Sequence, residues 1–143
     1  MPIGKNVAIM GGNIQGCQTA EFLVRRGRKV SIVETEKEMG AGLLESLVKP
    51  HLLIWLDEKG VPMTTEAKYD QVTEKGLVIT TKEGKKQTID ADTVLTTLPL
   101  QADNRLLKEI EVKVPEVYAI GDCRAPGMIV DAIADGAKVG RMV

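Results

Sequence analysis

The chain has 143 residues, a length that fits one domain able to bury a core without disulfides or metals. Apolar residues make up 43% and charged residues 27%, as in ordinary globular proteins; the net charge of −1 leaves no basic stripe to mark a nucleic-acid or polyanion partner. Aromatics at 3% offer little for base stacking, no apolar run reaches the length of a membrane span, and the polar start Pro2-Ile3-Gly4-Lys5-Asn6 does not read as a signal peptide.

In chain order, the apolar run Val7-Ala8-Ile9-Met10 reads as a strand buried on both faces, and the turn Gly11-Gly12-Asn13-Ile14-Gln15-Gly16 follows at once. Ile14, Cys17, Ala20, Leu23 and Val24 then recur at helical spacings, and Gly27 can close that helix. Lys29 to Val33 reads as a second strand with Glu34 at its C-terminal end. Strand, glycine turn, helix, strand and acidic residue make the first half of a dinucleotide-binding unit.

The residue types fit that chemistry. Gly11 permits the sharp turn, Gly16 permits close packing of helix on strand, and the helix N-terminus offers N–H groups and partial positive charge to a pyrophosphate. Glu34 follows Gly11 by 23 residues, about where a carboxylate accepts hydrogen bonds from an adenosine ribose. A 2′-phosphate there meets like charge, so Glu34 favours NAD(H) over NADP(H), with Arg25, Arg26, Arg28 and Lys37 weighing the other way. Asn13 stands where G-x-G-x-x-G has its middle glycine, the closest backbone approach to the pyrophosphate. The candidate nucleotide residues are thus Gly11, Gly12, Asn13, Ile14, Gln15, Gly16 and Glu34.

Thr35 to Gly42 is a polar loop at the edge of this site, and a helical stretch begins over Leu43 to Val48, is kinked or restarted at Pro50 and ends at Gly60. His51 has no partner at catalytic spacing and reads as a packing or solvent-facing residue, while Trp55 reads as core or sheet-facing. Four short strands are expected from Pro62 to Ile89, with turns at Glu74-Lys75-Gly76 and Glu83-Gly84, giving an antiparallel β-meander at about 61–90 that serves as scaffold. Thr93 to Leu98 is another strand, stopping at Pro99; Leu106 to Ile110 is a short helix; Val117 to Ile120 is a final strand ending in Gly121-Asp122; and Met128 to Gly140 is a closing helix. Cys17 lies on the apolar face of the first helix and Cys123 stands apart, so no disulfide, zinc or iron–sulfur framework is assembled and a reducing, cytoplasmic setting fits. Asp131 and Asp135, four residues apart, read as a solvated helix face. The fold class is α/β: a Rossmann-like parallel sheet with helices on both faces and the inserted meander.

The stretch VAIMGGNIQGCQTAEFL…KVSIVE, the meander and the ending VYAIGDCRAPGMIVDAIADGAKVGRMV together resemble the NAD(P)H-binding domain of flavoprotein reductases with two dinucleotide folds. Cys-x-Thr-Ala-Glu after the last glycine and the GDC…DAI…G ending are similar to one branch, NADH:flavin oxidoreductases resembling 2,4-dienoyl-CoA reductase, 2-enoate reductase and trimethylamine dehydrogenase. The resemblance implies that 1–115 is the NAD(P)H-binding domain and 116–143 the closing segment of an FAD-binding domain whose other half is absent. It assigns Gly121 and Asp122 to the flavin side, the Asp122 carboxylate holding ribityl or phosphate-linked oxygens of FAD. It places FMN and an iron–sulfur cluster in missing parts of the parent enzyme, and it implies little FAD binding by this chain alone. Pro99 and Ala102-Asp103 depart from the family pattern.

The leading expectation is therefore an NADH-binding domain that presents nicotinamide to FAD in an enoate- or dienoyl-CoA-reductase-like enzyme, without a catalytic acid, base or nucleophile of its own and inactive in isolation. The alternatives are a non-catalytic module that holds ADP or NAD, and a structural or docking domain. The partners expected are the nicotinamide dinucleotide and the missing flavin domains. Because the face of 117–143 lacks its other half, a homodimer or swapped helix is expected too.

Overall fold

A computed structural model of the chain describes residues 3–43 and 47–143, which form two compact units dividing between Leu98 and Pro99. The first holds β1 (Asn6–Met10), α1 (Ile14–Val24), β2 (Lys29–Val33), α2 (Lys49–Glu58), β3 (Met63–Thr64), β4 (Lys68–Thr73), β5 (Gly76–Thr80), β6 (Lys86–Asp90) and β7 (Thr93–Thr96). The second holds α3 (Arg105–Ile110), a single 3-10 turn (Gly121–Cys123) and α4 (Ile129–Val139). The short helix α3 lies in the second unit.

Four parallel strands run in the order β3-β2-β1-β7. The register sets Ile9 beside Ile32 and Leu95, and Ala8 beside Val94. Alternate side chains then face opposite sides. On one side Val7, Ile9, Val30 and Ile32 pack under Cys17, Ala20 and Leu23 of α1 and Leu52 and Leu56 of α2. On the other, Ala8 and Val33 pack under Leu77, Ile79 and Ile89 of a separate antiparallel sheet, β4-β5-β6. The α/β class holds with one refinement: in this unit the meander covers the face where a second helical layer was expected. Its own inward residues, every second position of β5, are what that face needs to be sealed from water.

Further differences have local causes. Met63–Thr64 leaves the expected meander and extends the parallel sheet, because the Pro62 and Thr64 carbonyls accept from Ile32 and Glu34 N–H, and Val61 is buried just before it. Pro50 occupies the first turn of α2, where its missing N–H costs nothing; of the helix expected over Leu43 to Val48, residues 44–46 lie outside the described residues, and Leu47-Val48 forms a turn. Val117 to Ile120 is no strand: Ile120 is extended, with φ −132° and ψ 150°, but among the described residues no neighbour pairs with this segment. None of the described helices is long and apolar enough to cross a membrane.

Candidate nucleotide-binding turn

The β1–α1 turn lies at the C-terminal ends of β1, β2 and β7, where ligands of open α/β sheets bind. Gly11 has φ +108°, and a Cβ there would stand 2.8 Å from Thr97 Oγ1 and 2.9 Å from the Thr97 carbonyl. At Gly16 a Cβ would come within 1.9 Å of the Gly11 carbonyl oxygen, so helix and strand meet only because that atom is missing. Both glycines do what their spacing implied.

Asn13 does something else. It is the N-cap of α1 with φ −71°, a value open to any residue, so the turn does not require glycine at this position. Its Oδ1 accepts from Gly16 N–H at 3.0 Å, and its Nδ2 donates to the Thr97 carbonyl at 2.6 Å. The side chain caps the helix and ties it to the end of β7. Thr97, absent from the sequence-based site, also donates its hydroxyl to the Gly11 carbonyl at 2.9 Å. The strand expected over Thr93 to Leu98 ends at Thr96, which leaves Thr97 beside the turn.

Glu34 is 9% exposed. Its Oε2 accepts from Gly12 N–H at 2.6 Å, while Oε1 accepts from Thr35 N–H at 2.6 Å, Thr35 hydroxyl at 3.1 Å and Glu36 N–H at 3.0 Å. Burial pushes its pKa up, but the Glu36 and Gly12 N–H groups and the Thr35 hydroxyl and N–H outweigh burial, holding the carboxyl below its usual value. Glu34 is therefore a fixed anion. Oε2, with one donor against three on Oε1, has acceptor capacity left for a ribose hydroxyl.

The loop after Glu34 folds back over the turn. Gly40 N–H donates to the Gly12 carbonyl at 2.6 Å, and Ile14 N–H donates to the Ala41 carbonyl at 2.8 Å. Met39 and Leu43 are buried there. On the meander side, the Val33 carbonyl accepts from Gly11 N–H and from the Tyr69 hydroxyl, both at 2.8 Å. Burial, then the Glu34 charge, push that hydroxyl up to about 12, so it stays protonated as a donor. The meander, read as scaffold, thus supplies a side chain that positions the turn. The N–H groups of Asn13 and Gln15 have no acceptor among the described residues.

The remaining candidates take ordinary roles. Cys17 is buried, its Sγ 3.4 Å from the Gly12 carbonyl, and burial lifts its thiol to about 11, which makes it inert at neutral pH. His51 is exposed. Trp55 is half-buried and packs against the core cluster beneath α1 and α2, with Arg25 stacked 4.7 Å from its ring centre. In the second unit Gly121 N–H donates to Asp135 Oδ2 at 3.1 Å, and Asp122 is exposed, its Oδ1 accepting from Gly127 N–H at 3.3 Å. Asp131 is exposed, as expected, and caps α4 by accepting from Met128 N–H at 2.8 Å; Asp135, half-buried, forms a two-point pair with Arg124 at 2.7 and 2.9 Å.

A buried carboxylate at the end of β2, a glycine-locked turn and open N–H groups at a helix start define a dinucleotide-binding α/β domain. The chain belongs to the pyridine nucleotide-disulphide oxidoreductase family, whose pattern it matches over residues 1–136. It is 29% identical over 136 residues to the NADH oxidase of Thermoanaerobacter brockii, covering 94% of this chain and 21% of that protein. It is 25% identical to the cinnamate reductase of Clostridium sporogenes, covering 99% of this chain and again 21% of the relative. Among solved structures, 2-naphthoyl-CoA reductase in complex with 2-naphthoyl-CoA superposes on 100% of this chain with a TM-score of 0.84 and 30% identity, over 22% of its own length. Histamine dehydrogenase from Rhizobium sp. 4-9 shares the fold, with a TM-score of 0.82 at 21% identity over 99% of this chain and 23% of its own. The chain thus spans about a fifth of the length of these relatives.

Proposed function

We propose that this chain is the NADH-binding domain of a larger flavin-dependent oxidoreductase that reduces enoate- or enoyl-CoA-type substrates. Glu34 carries the reading: a buried carboxylate, kept ionised by four donors and beside the glycine turn, suits the two ribose hydroxyls of an unphosphorylated adenosine and opposes a 2′-phosphate. The bound dinucleotide supplies hydride chemistry to a flavin; the chain's residues bind and orient it. Gly11, Gly12, Asn13, Ile14, Gln15 and Gly16 form the phosphate end and Glu34 the ribose end. FAD is assigned to the complete enzyme, with Gly121 and Asp122 contributing to its site, since Asp122 here has one backbone donor and a solvent-facing carboxylate. FMN and an iron–sulfur cluster belong to other domains of that enzyme, which acts in the cytoplasm.

The apolar side chains of the second unit support membership in a larger body. Ile129, Val130 and Ile133 of α4 are 82%, 62% and 64% exposed, a surface that flavin domains or a second copy of the chain would cover. Sedimentation of the isolated chain separates these, a dimer assigning the surface to a second copy.

A second reading, a module that holds ADP or NAD without passing hydride, is favoured by Asn13 and Ala41, which fill N–H groups of the turn. Calorimetric titration with NADH and ADP decides between the two. Tighter binding of NADH supports the hydride-donor domain, equal binding supports the holding module, and silence from both rejects the nucleotide site.

A further inference from the structure

We infer that Asn13 is a specificity-determining residue that limits the phosphate end of the turn to a single phosphoryl group. This rests on the nucleotide reading above and sharpens what the site recognises. Five successive N–H groups, from Gly12 to Gly16, are the donors this turn could turn toward phosphate oxygens. Three are already held inside the protein: Gly12 N–H by the Glu34 carboxylate at 2.6 Å, Ile14 N–H by the Ala41 carbonyl at 2.8 Å, and Gly16 N–H by Asn13 Oδ1 at 3.0 Å. Only Asn13 and Gln15 N–H lack an acceptor among the described residues.

Of the three internal acceptors, the Asn13 carboxamide belongs to the position that spacing assigns to closest phosphate approach. A glycine there would leave Gly16 N–H to the ligand. The carboxamide is held in place from its other end, because Nδ2 donates to the Thr97 carbonyl at 2.6 Å. Releasing it therefore breaks two hydrogen bonds, and a second phosphoryl group would have to compete with both. Two open N–H groups suit one phosphoryl group, so the site reads a nucleoside 5′-monophosphate unit, and the second phosphate of ADP or NADH gains little from the turn.

Calorimetry with AMP and ADP on the wild-type chain, Asn13→Gly and Asn13→Ser tests this. The wild type is expected to bind ADP and AMP within about threefold of one another, since the second phosphate adds no full hydrogen bond to the turn. Asn13→Gly frees Gly16 N–H and is expected to raise the ADP-to-AMP affinity ratio about tenfold, the size of one charge-assisted hydrogen bond. Asn13→Ser keeps a capping oxygen but loses the Thr97 tether, so its ratio should rise by less than that of Asn13→Gly. The ratio cancels any general loss of affinity, and circular dichroism melting reports whether each variant folds. A wild-type preference for ADP beyond about tenfold, an unchanged ratio in Asn13→Gly, or an equal rise in Asn13→Ser overturns the inference while leaving the nucleotide site standing. Silence from both nucleotides in all three folded proteins overturns the site and the inference together.

Discussion

Ile32 and Ile133 are the same side chain in opposite circumstances. Ile32, in β2, is fully sealed between the parallel sheet and helices α1 and α2; Ile133, in α4, is 64% exposed. The contrast extends to the two motifs these regions carry. Around Gly11 and Gly16 the backbone has no room for a Cβ, and Glu34 is fixed by four donors within its own unit. Around Gly121 and Asp122 no residue of the flanking helical segments is buried, and local ion pairs and caps do the holding. The glycine turn is therefore held within its own unit, whereas Gly121 and Asp122, assigned to the flavin side only by the proposed function, sit among exposed residues joined by local contacts.

The sharpest way to break this contrast is to overfill the turn. Gly16→Ala should destabilise the first unit by about 3 kcal/mol, because the Cβ meets backbone at 1.9 Å rather than a side chain that can move. A urea titration followed by circular dichroism measures it, and a loss below about 1 kcal/mol would show that the turn can relax.

Matched truncations come next. Ile32→Ala is expected to cost about 3 kcal/mol and Ile133→Ala less than about 0.5 kcal/mol in the same titration. A cost above about 1 kcal/mol for Ile133→Ala would mean that the α4 face is covered in solution.

Glu34→Gln should weaken NADH by about tenfold through loss of the charged ribose acceptor, while an unchanged affinity would remove Glu34 from the site. The smallest effect concerns pH. The folded Glu34 pKa lies below the ordinary carboxylate value, so its stabilising contribution is complete above the unfolded pKa of about 4.3 and is lost as pH falls through the folded value. Urea midpoints of wild type and Glu34→Gln should therefore converge in acid and separate toward neutrality.

Much of the first unit was legible because its constraints are local. The strand–turn–helix–strand order, both turn glycines and Glu34 follow from spacing alone. Thr97, Tyr69 and Ala41 were not legible, because each reaches the turn across long sequence separations or through a backbone carbonyl that any residue carries. Met63–Thr64 was assigned to the wrong sheet because two residues have no periodicity to read; the burial of Val61 and the β2 edge decide its partner. Val117 to Ile120 has strand-forming residues, but a strand exists only with a neighbour, and here the described residues offer none.

The Val33 carbonyl accepts both the Gly11 amide and the Tyr69 hydroxyl. One oxygen thereby joins a parallel sheet's ligand end to an antiparallel sheet formed 35 residues or more further along the chain. Opening of the meander would uncover Ala8 and Val33 and strip a donor from that oxygen in one event, so the two sheets should behave as a single cooperative unit. In native-state hydrogen exchange, the Gly11 amide and the β5 amides would then share one opening free energy, and the nucleotide site would be only as persistent as the sheet behind it.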